Sequence, residues 1–378
     1  MAGLYIHIPF CKQACHYCDF HFSTSLSQKK GVLDSIKKEI EMQRNFFGED
    51  EKWLETIYFG GGTPSLLSGD ELNSIFDVIR SCFIIDEGAE ITLEANPDDL
   101  TKEKIAELKE TPVNRLSIGI QSFRDEDLVL MNRAHSGAMA ISCIERALAA
   151  SFTNISIDLI WGIPGLSKAA WLENLQIAFD MDINHISAYC LTVEAKTPLE
   201  YFIRQGKIKS IDEEQAAVHF ELMTKAMQQN SFIQYEISNF CKRDWHSRHN
   251  SNYWTGEKYL GIGPSAHSFD GKNRQWNISN NNLYIKSINE EKIPYEQDLL
   301  TEEKRFNEYI LTSLRTIKGA SLALIERKWG QKYLQHCISE NKKHLENADT
   351  CIQQNSICLT EKGKLFADAV AASFFMID

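Results

Sequence analysis

The chain has 378 residues, of which 43% are hydrophobic, enough for one large domain with one or two smaller ones. Its formal net charge of −12 disfavours a nucleic-acid surface, because phosphate binding needs clustered Lys and Arg. No secretory leader pattern opens the sequence, and no apolar run reaches the ~18 residues of a membrane helix. We therefore expect a cytoplasmic protein whose reduced cysteines serve metal or catalytic sites.

Short β-branched or aromatic segments alternate with longer helical segments over the first two hundred residues. A repeated strand–helix unit of this kind predicts an α/β fold, with a parallel sheet that is either open or curled into a barrel. The predicted strands are 4–9, 56–59, 90–95, 115–120, 154–160 and 185–190, and the predicted helices are 28–46, 68–82, 102–110, 137–150 and 167–179.

Three cysteines directly follow the first predicted strand. Cys11, Cys15 and Cys18 form a Cys-x3-Cys-x2-Cys motif. Three thiolates hold an iron–sulfur cluster or a metal with one coordination position free, whereas structural zinc and electron-transfer clusters normally have four protein ligands. A chance group of loop thiols, or three of four zinc ligands, are the alternatives. The motif indicates a site that binds a further molecule.

Further motifs follow the later predicted strands, where barrel enzymes place their functional loops. Gly60–Pro64 is a glycine-rich loop that lets a ligand approach the backbone, although an ordinary turn explains it equally well. Glu94 and Gln121 end the third and fourth strands, and Asp158 is a carboxylate in an apolar run that needs a partner or a ligand. The alternatives are a helix cap, a turn residue and a structural ion pair, with a surface charge for Arg133.

This ordered set resembles the radical S-adenosylmethionine (SAM) superfamily, in which a [4Fe–4S] cluster chelates SAM through its free iron. The resemblance implies a partial (β/α)6 TIM-like barrel, with Cys11, Cys15 and Cys18 as cluster ligands. Within the superfamily, the chain resembles the oxygen-independent coproporphyrinogen III oxidase-like family. Its SAM-contacting positions correspond here to Tyr5, Tyr17, Gly61, Gly62, Thr63, Glu94, Gln121, Arg133 and Asp158.

Two features distinguish the branches of that family. The oxidases have a fourth cysteine two residues after the third, where this chain has Phe20. The motif His249-Asn-x-x-Tyr253-Trp254, together with Phe20, resembles the HemW group of heme chaperones, in which the histidine is implicated in heme binding. Imidazole is a common axial ligand of heme iron, and aromatic rings pack on the macrocycle. Without the resemblance, a structural histidine and aromatic packing explain the motif as well.

A second glycine motif, after residue 260, does not indicate a dinucleotide site. Gly261-x-Gly263-x-x-Ala266 has the form of a dinucleotide fingerprint, but it follows no predicted strand within a βαβ unit and it contains Pro264. We therefore predict a tight glycine turn beside the barrel mouth and no nicotinamide site.

Beyond residue 211 the strand–helix alternation stops. The sequence predicts a helix at 212–230, a short strand at 234–238, a loop-rich stretch at 241–270, and helices with a small β-wing from about 301. The predicted domains are the barrel over 1–211, an extension with the His-Asn motif over 212–300, and a mostly helical, winged-helix-like C-terminal accessory domain over 301–378.

The resemblance implies a cytoplasmic heme chaperone that binds heme and a SAM-chelating [4Fe–4S] cluster. Its partners would be a heme-accepting protein, including one at the membrane, and an electron donor to the cluster, without nucleic acid. No catalytic residue is assigned. The alternative is a radical enzyme that decarboxylates coproporphyrinogen III to protoporphyrinogen IX. An RNA-modifying enzyme is disfavoured by the acidic charge.

Overall fold

Six parallel strands and their crossover helices form the first half of the chain. The computed structural model describes residues 2–48 and 52–377. The six predicted strands are confirmed, as are the five predicted helices, while α4 is an additional one. The strands are β1 (Ala2–Ile8), β2 (Trp53–Gly61), β3 (Ile84–Ala95), β4 (Arg115–Gln121), β5 (Asn154–Trp161) and β6 (His185–Cys190). The helices are α1 (Lys29–Met42), α2 (Gly69–Cys82), α3 (Lys102–Lys109), α4 (Asp125–Leu130), α5 (Gly137–Ala149) and α6 (Lys168–Asp180).

The second part of the chain extends this sheet at both edges. Its elements are α7 (Pro198–Arg204), α8 (Glu213–Gln229), β7 (Ile233–Glu236), β8 (Asn239–Cys241), α9 (Arg248–Thr255), β9 (Lys258–Ile262), β10 (His267–Phe269), β11 (Arg274–Asn277), α10 (Asn281–Asn289) and β12 (Tyr295–Asp298). The strand order is β12-β11-β10-β9-β1-β2-β3-β4-β5-β6-β8-β7. Strands β1 to β6 run parallel, and β9 pairs parallel with β1 on their open side. The described residues therefore form a partial barrel with two free edges.

The prediction of a loop-rich stretch over 241–270 is wrong. This stretch contains α9, β9 and β10, and Gly261 lies within β9, opposite Tyr5 of β1. A Cβ atom at Gly261 would come within 2.0 Å of the His267 carbonyl oxygen, so close backbone packing requires glycine there. Sequence propensity disfavours a strand that contains Gly261 and is followed at once by Gly263, and pairing with β1 overrides it. No helix follows β9 directly, so the segment still lacks a βαβ unit.

The C-terminal part forms its own small core. Phe306, Ile310, Ile325 and Phe374 are completely buried in it. Its strands pair antiparallel in the order β13-β15-β14, which confirms a mostly helical part with a small β-wing. The division at 211 and 300 stays a prediction. The elements are α11 (Glu302–Leu314), β13 (Ala320–Ser321), α12 (Leu322–Trp329), α13 (Gln331–Glu346), β14 (Thr350–Gln353), β15 (Ser356–Leu359), α14 (Glu361–Lys364) and α15 (Ala367–Ser373).

Side chains alternate along the barrel strands between two environments. One set is apolar and packs in the same hydrophobic core as the crossover helices, as Leu4, Ile57 and Leu93 do. The other set is polar, yet much of it is buried, and it includes Thr56, Glu90, Thr92, Arg115, Ser117, Ser156, His185 and Ser187. The barrel interior is therefore polar and depends on internal hydrogen bonds. No helix among residues 2–48 and 52–377 is long and apolar enough to cross a bilayer.

Candidate functional site

The loop that carries Cys11, Cys15 and Cys18 is hydrogen-bonded to a segment across the barrel mouth from it. It follows the C-terminal end of β1 and lies against the segment between α4 and α5. The backbone amide of His16 donates to Met131 O at 3.1 Å, and Asn132 Nδ2 donates to Ala14 O at 2.7 Å. These bonds attach the cysteine loop to the segment between α4 and α5.

Two of the three sulfurs accept hydrogen bonds from predicted site residues. Thr63 Oγ1 donates to Cys11 Sγ at 3.4 Å, and Arg133 Nη1 donates to Cys15 Sγ at 3.2 Å. Burial, together with the neighbouring Cys15 and Cys11, raises the pKa of the Cys18 thiol to about 11. The three predicted ligands thus lie near one another, half-buried at the barrel mouth.

Three thiolates from one motif suit an iron–sulfur cluster that keeps one iron without a protein ligand. Within the described ranges, no group of three His, Cys, Asp or Glu side chains could hold a single metal ion. In a cluster, each thiolate binds a different iron, so the ligand sulfurs stand farther apart than those of one ion. Cys11, Cys15 and Cys18 would hold such a cluster with one iron free for another ligand.

The glycine loop packs directly on β1 and the cysteine loop. Gly61 has a φ of +107°, and a Cβ atom at Gly62 would come within 2.6 Å of Phe10 O. Only glycine fits this approach. The next residue, Thr63, is buried, and its hydroxyl accepts a 3.1 Å hydrogen bond from Asn96 Nδ2. The loop therefore connects the ends of β2 and β3 to Cys11, a predicted cluster ligand.

Two predicted SAM carboxylates lie in the barrel interior. The Tyr58 hydroxyl donates to Glu94 Oε1 at 2.8 Å, and the Gly61 amide donates to Glu94 Oε2 at 3.2 Å. Burial, together with the charge of Asp158, raises the pKa of Glu94 to about 7. Burial likewise raises the pKa of Asp158 to about 6, although Arg115 opposes the shift. Both carboxyls therefore titrate near neutral pH.

Gln121 and Arg133 complete the mouth of the barrel. Gln121 ends β4 with a φ of +65°, an uncommon conformation for a residue other than glycine. Arg133 Nη2 donates to Asn96 Oδ1 at 2.7 Å and to Gly119 O at 2.8 Å, whereas its buried Nε has no partner. Tyr17 is near the Arg133 charge, and burial raises its pKa. An unpartnered donor and two carboxyl groups fit a ligand with amino, carboxylate and hydroxyl groups, as SAM has.

His249 is enclosed by the barrel. Its side chain is 1% exposed. Its Nδ1 is 2.8 Å from Thr56 Oγ1, and its Nε2 is 2.9 Å from the Tyr253 hydroxyl. The ring stacks on Tyr58 with centroids 5.0 Å apart and on Tyr5 with centroids 6.4 Å apart, and the two tyrosines stack on each other at 6.1 Å. Burial lowers the pKa of His249 to about 3, so the imidazole is neutral, the form that binds metal.

A single cavity of about 360 Å³ joins the two predicted sites. Tyr5 and Glu94 from the SAM-contacting set line it together with His249 and the rest of the His-Asn motif. The buried Nε1 of Trp254 and Oδ1 of Asn239 have no hydrogen-bond partner there. The lining residues are Tyr5, Tyr58, Glu94, Tyr189, Glu236, Ser238, Asn239, His249, Asn250, Tyr253, Trp254 and Arg315.

The C-terminal part contributes one wall of this cavity. Arg315 follows α11, and its guanidinium lies 5.3 Å from the ring centroid of Trp254. Arg315 also forms a 3.1 Å ion pair with the buried carboxylate of Glu236 and a 3.0 Å pair with Asp368. A second cleft, of about 490 Å³, lies beside α9 and includes the exposed His246 among its lining residues.

The sequence interpretation missed several residues that build the cavity. Thr56 and Tyr58 alternate on β2, and Glu90 stands four residues before Glu94 on β3. Polar residues at period two in an apolar strand were the available signal. Arg315 and Glu236 had no such signal, because their contact depends on how the C-terminal part packs on the barrel.

Several known proteins are similar to this chain in sequence or in fold. The Radical SAM superfamily model matches residues 5–178. The heme chaperone HemW of Bacillus subtilis is 35% identical, covering 99% of this chain and 99% of its own. That of Mycobacterium tuberculosis is 33% identical, covering 97% and 93%. The Escherichia coli coproporphyrinogen III oxidase HemN, a radical SAM enzyme, has a TM-score of 0.85 over 99% of this chain and 90% of that one, at 22% identity. The last similarity shows the fold alone and confirms the predicted partial (β/α)6 barrel.

Proposed function

Because this chain belongs to the HemW family of radical SAM proteins, we propose that it is a heme chaperone. It binds heme and a SAM-chelating [4Fe–4S] cluster in the cytoplasm and transfers the heme to an acceptor hemoprotein, at the membrane or elsewhere. A separate electron donor reduces the cluster. The relatives named heme chaperone HemW, which align over nearly the full chain, support this proposal.

The shared cavity is the observation on which the proposal depends. Glu94, a predicted SAM contact, and His249, the predicted heme ligand, line the same space of about 360 Å³. This volume lies within the range of small-molecule pockets, about 300 to 1,000 Å³. Five aromatic side chains line it, and aromatic rings pack well on a flat macrocycle. SAM or the cluster is therefore positioned to influence heme at close range, and we propose that they gate its transfer.

The imidazole of His249 has the neutral charge that metal binding requires, but the Tyr253 hydroxyl covers its Nε2. The neutral imidazole can bind heme iron through one nitrogen while the other keeps its hydrogen bond to Thr56. Binding through Nε2 requires the Tyr253 hydroxyl, now 2.9 Å away, to move aside. We propose that this displacement accompanies heme uptake, with Trp254 Nε1 and Asn239 Oδ1 as unpartnered polar atoms of the same cavity.

The cluster and SAM complete the proposal at the barrel mouth. Cys11, Cys15 and Cys18 hold the cluster, and the glycine loop, Arg133, Gln121 and the two carboxylates hold SAM. The cluster would supply an iron that chelates SAM and that exchanges one electron. The protein positions these groups through the Thr63–Cys11 and Arg133–Cys15 hydrogen bonds.

The competing function is oxidation of coproporphyrinogen III. The HemN fold similarity does not decide it, because it is a similarity at 22% identity. Phe20 stands where the oxidases have a further cysteine, and its side chain is 70% exposed and offers no thiol. The heme chaperone proposal thus has the support of the full-length relatives, and the oxidase has the support of the fold only.

The two functions are separated by following product and cofactor in one preparation. Cluster-reconstituted protein is loaded with heme and incubated anaerobically with SAM, a reductant and coproporphyrinogen III. We expect retained heme and no protoporphyrinogen. Protoporphyrinogen formed at a catalytic rate, without stable heme, would replace the chaperone proposal with the oxidase.

A further inference from the structure

Arg115 is a fully buried cation in the barrel interior. It is the first residue of β4, and its side chain is 1% exposed. Its Nη1 donates a 3.4 Å hydrogen bond to Thr92 Oγ1, whereas its Nε has no partner. Within the described ranges, no carboxylate forms an ion pair with it. A buried guanidinium with so few direct partners is costly, so charges farther off in the same interior must compensate it.

Those charges are the carboxylates of Glu94 and Asp158. Glu94 lies two residues beyond Thr92 on β3, and Asp158 lies on β5, the other neighbour of β4. The Arg115 charge lowers the pKa of both carboxyls, against the effect of burial. Arg115 lies on β4, between the strands of the two carboxyls, and thus places one positive charge near both Glu94 and Asp158.

Other titratable groups face the same interior. Burial lowers the pKa of His185 and His249, and the Arg115 charge acts in the same direction, so both imidazoles stay neutral. Burial raises the pKa of Tyr235 against the Arg115 charge, and the buried Glu90, two residues before Thr92 on β3, bonds the start of α9. Glu94 also faces the Tyr58 hydroxyl and the Gly61 amide, and Asp158 faces Ser187 from β6 and the charge of Arg133. The tyrosines around the carboxyls remain neutral at physiological pH, because burial raises their pKa values. They are Tyr5, Tyr17, Tyr58, Tyr189 and Tyr253.

We propose that Arg115 is a positioning residue for SAM, a fixed positive charge that keeps Glu94 and Asp158 ionised as hydrogen-bond acceptors. SAM presents an ammonium group and ribose hydroxyls, all of them donors, and an ionised carboxylate offers only acceptors. Arginine suits this role because it stays charged even when buried. This inference rests on the proposed SAM binding but not on heme binding.

The test is the pH dependence of SAM affinity. Cluster-reconstituted wild type and Arg115→Gln are titrated with SAM by anaerobic equilibrium dialysis between about pH 6 and about pH 9. We expect the pH at half-maximal affinity to rise by about half a unit in Arg115→Gln, which makes binding roughly threefold weaker at and below neutral pH. At the alkaline end the two proteins should bind SAM equally well.

Three variants make the result interpretable. Arg115→Lys retains the charge and should restore most of the wild-type profile. Arg115→Met fills the space without an unpaired polar atom and replaces Arg115→Gln if that variant does not fold. Arg146→Gln is the matched control, because Arg146 is a half-buried arginine of α5 that bonds Leu100 O and Ser142, away from the interior.

Two results would overturn the inference. One is a wild-type pH profile in folded Arg115→Gln or Arg115→Met, and the other is an equal loss of affinity at every pH, which indicates a merely structural role. Heme titration of the same variants should match the wild type, so a failure here leaves heme binding intact. If the wild type itself binds no SAM, the SAM part of the proposed function fails and this inference fails with it.

Discussion

The carboxylate of Glu90 on β3 accepts a 2.9 Å hydrogen bond from the backbone amide of His249, 159 residues later in the chain. The same carboxylate accepts a 3.0 Å bond from the Arg248 amide and a 3.4 Å bond from the Ser247 hydroxyl. The first amides of a helix lack intrahelical partners, and a negative charge there also complements the helix dipole. Glu90 therefore fixes the start of α9, and with it His249, to the barrel.

Removing the charge of Glu90 should loosen α9. In Glu90→Gln we expect a loss of about 1 to 3 kcal/mol in the free energy of unfolding, because buried amides lose a charged acceptor. Heme uptake should weaken as well. Urea denaturation measures the first effect. Glu55→Gln is the control, since Glu55 meets only the partly exposed Arg248 side chain, at 3.3 Å, and should cost less than about 1 kcal/mol. Equal effects would contradict the role of Glu90.

The cluster assignment is tested by metal content. Replacing Cys11, Cys15 or Cys18 by alanine should abolish the cluster absorbance after anaerobic reconstitution and remove most of the roughly four irons per chain. Cys82→Ala and Cys351→Ala are suitable controls, because both cysteines are only half-buried and lie outside the motif. Full iron and sulfide incorporation in a Cys15→Ala protein would show that this cysteine is not a ligand.

The sequence predicted the barrel because local and global signals agree there. Each strand from β1 to β6 contains a short β-branched or aromatic run, and most of the motifs lie at or just after the end of a strand, as expected at a barrel mouth. The same reasoning failed at β9, where Gly261 reduces strand propensity and only the pairing with β1 forms the strand. Nonlocal pairing of this kind has no local signal.

For the site, the sequence predicted the motif residues but not the contacts around them. Motifs identified Cys11, Glu94 and His249, but not the closed environment of His249, which depends on Thr56 and Tyr253. The ion pair between Arg315 and Glu236 joins segments that are 79 residues apart. Such contacts arise from packing, so the sequence could suggest that a ligand is bound without showing the shape of its cavity.

Glu39 should make the free energy of unfolding depend on pH between about 4.5 and about 7. This buried carboxyl of α1 accepts hydrogen bonds from Gly263 N, Asn277 Nδ2 and Tyr284 OH, and burial raises its pKa to about 7. A raised folded-state pKa favours folding below the unfolded value of about 4.5, and this advantage disappears as pH rises through about 7.

We therefore expect the stability of the wild type, relative to Glu39→Gln, to fall by about 3 kcal/mol between about pH 4.5 and pH 7 and then to level off. Urea denaturation of both proteins across this range measures the difference, and contributions from other titrating groups cancel in it. A difference that stays constant with pH would contradict the raised pKa of Glu39.

Arg315 should hold the C-terminal part against the cavity. Arg315→Ala leaves the buried Glu236 carboxylate without its 3.1 Å partner and removes the contact with Trp254. We expect a loss of about 3 to 5 kcal/mol in the free energy of unfolding, since an uncompensated buried charge is costly. Faster limited proteolysis after α10 should accompany it.

Asp368→Ala provides the control for Arg315, because it removes the other, largely exposed partner of the guanidinium. Its cost should stay below about 1 kcal/mol. If Arg315→Ala is no less stable than Asp368→Ala, the buried ion pair does not secure this wall of the cavity.

Heme titration of wild type, His249→Ala and His246→Ala tests whether His249 is the heme ligand. His246 is the matched control, an exposed imidazole three residues earlier that lies outside the shared cavity. We expect about one heme per chain for wild type and His246→Ala, at least tenfold weaker binding for His249→Ala, and partial recovery when free imidazole is added. Wild-type heme affinity in folded His249→Ala would contradict the assignment of the His-Asn motif as the heme site.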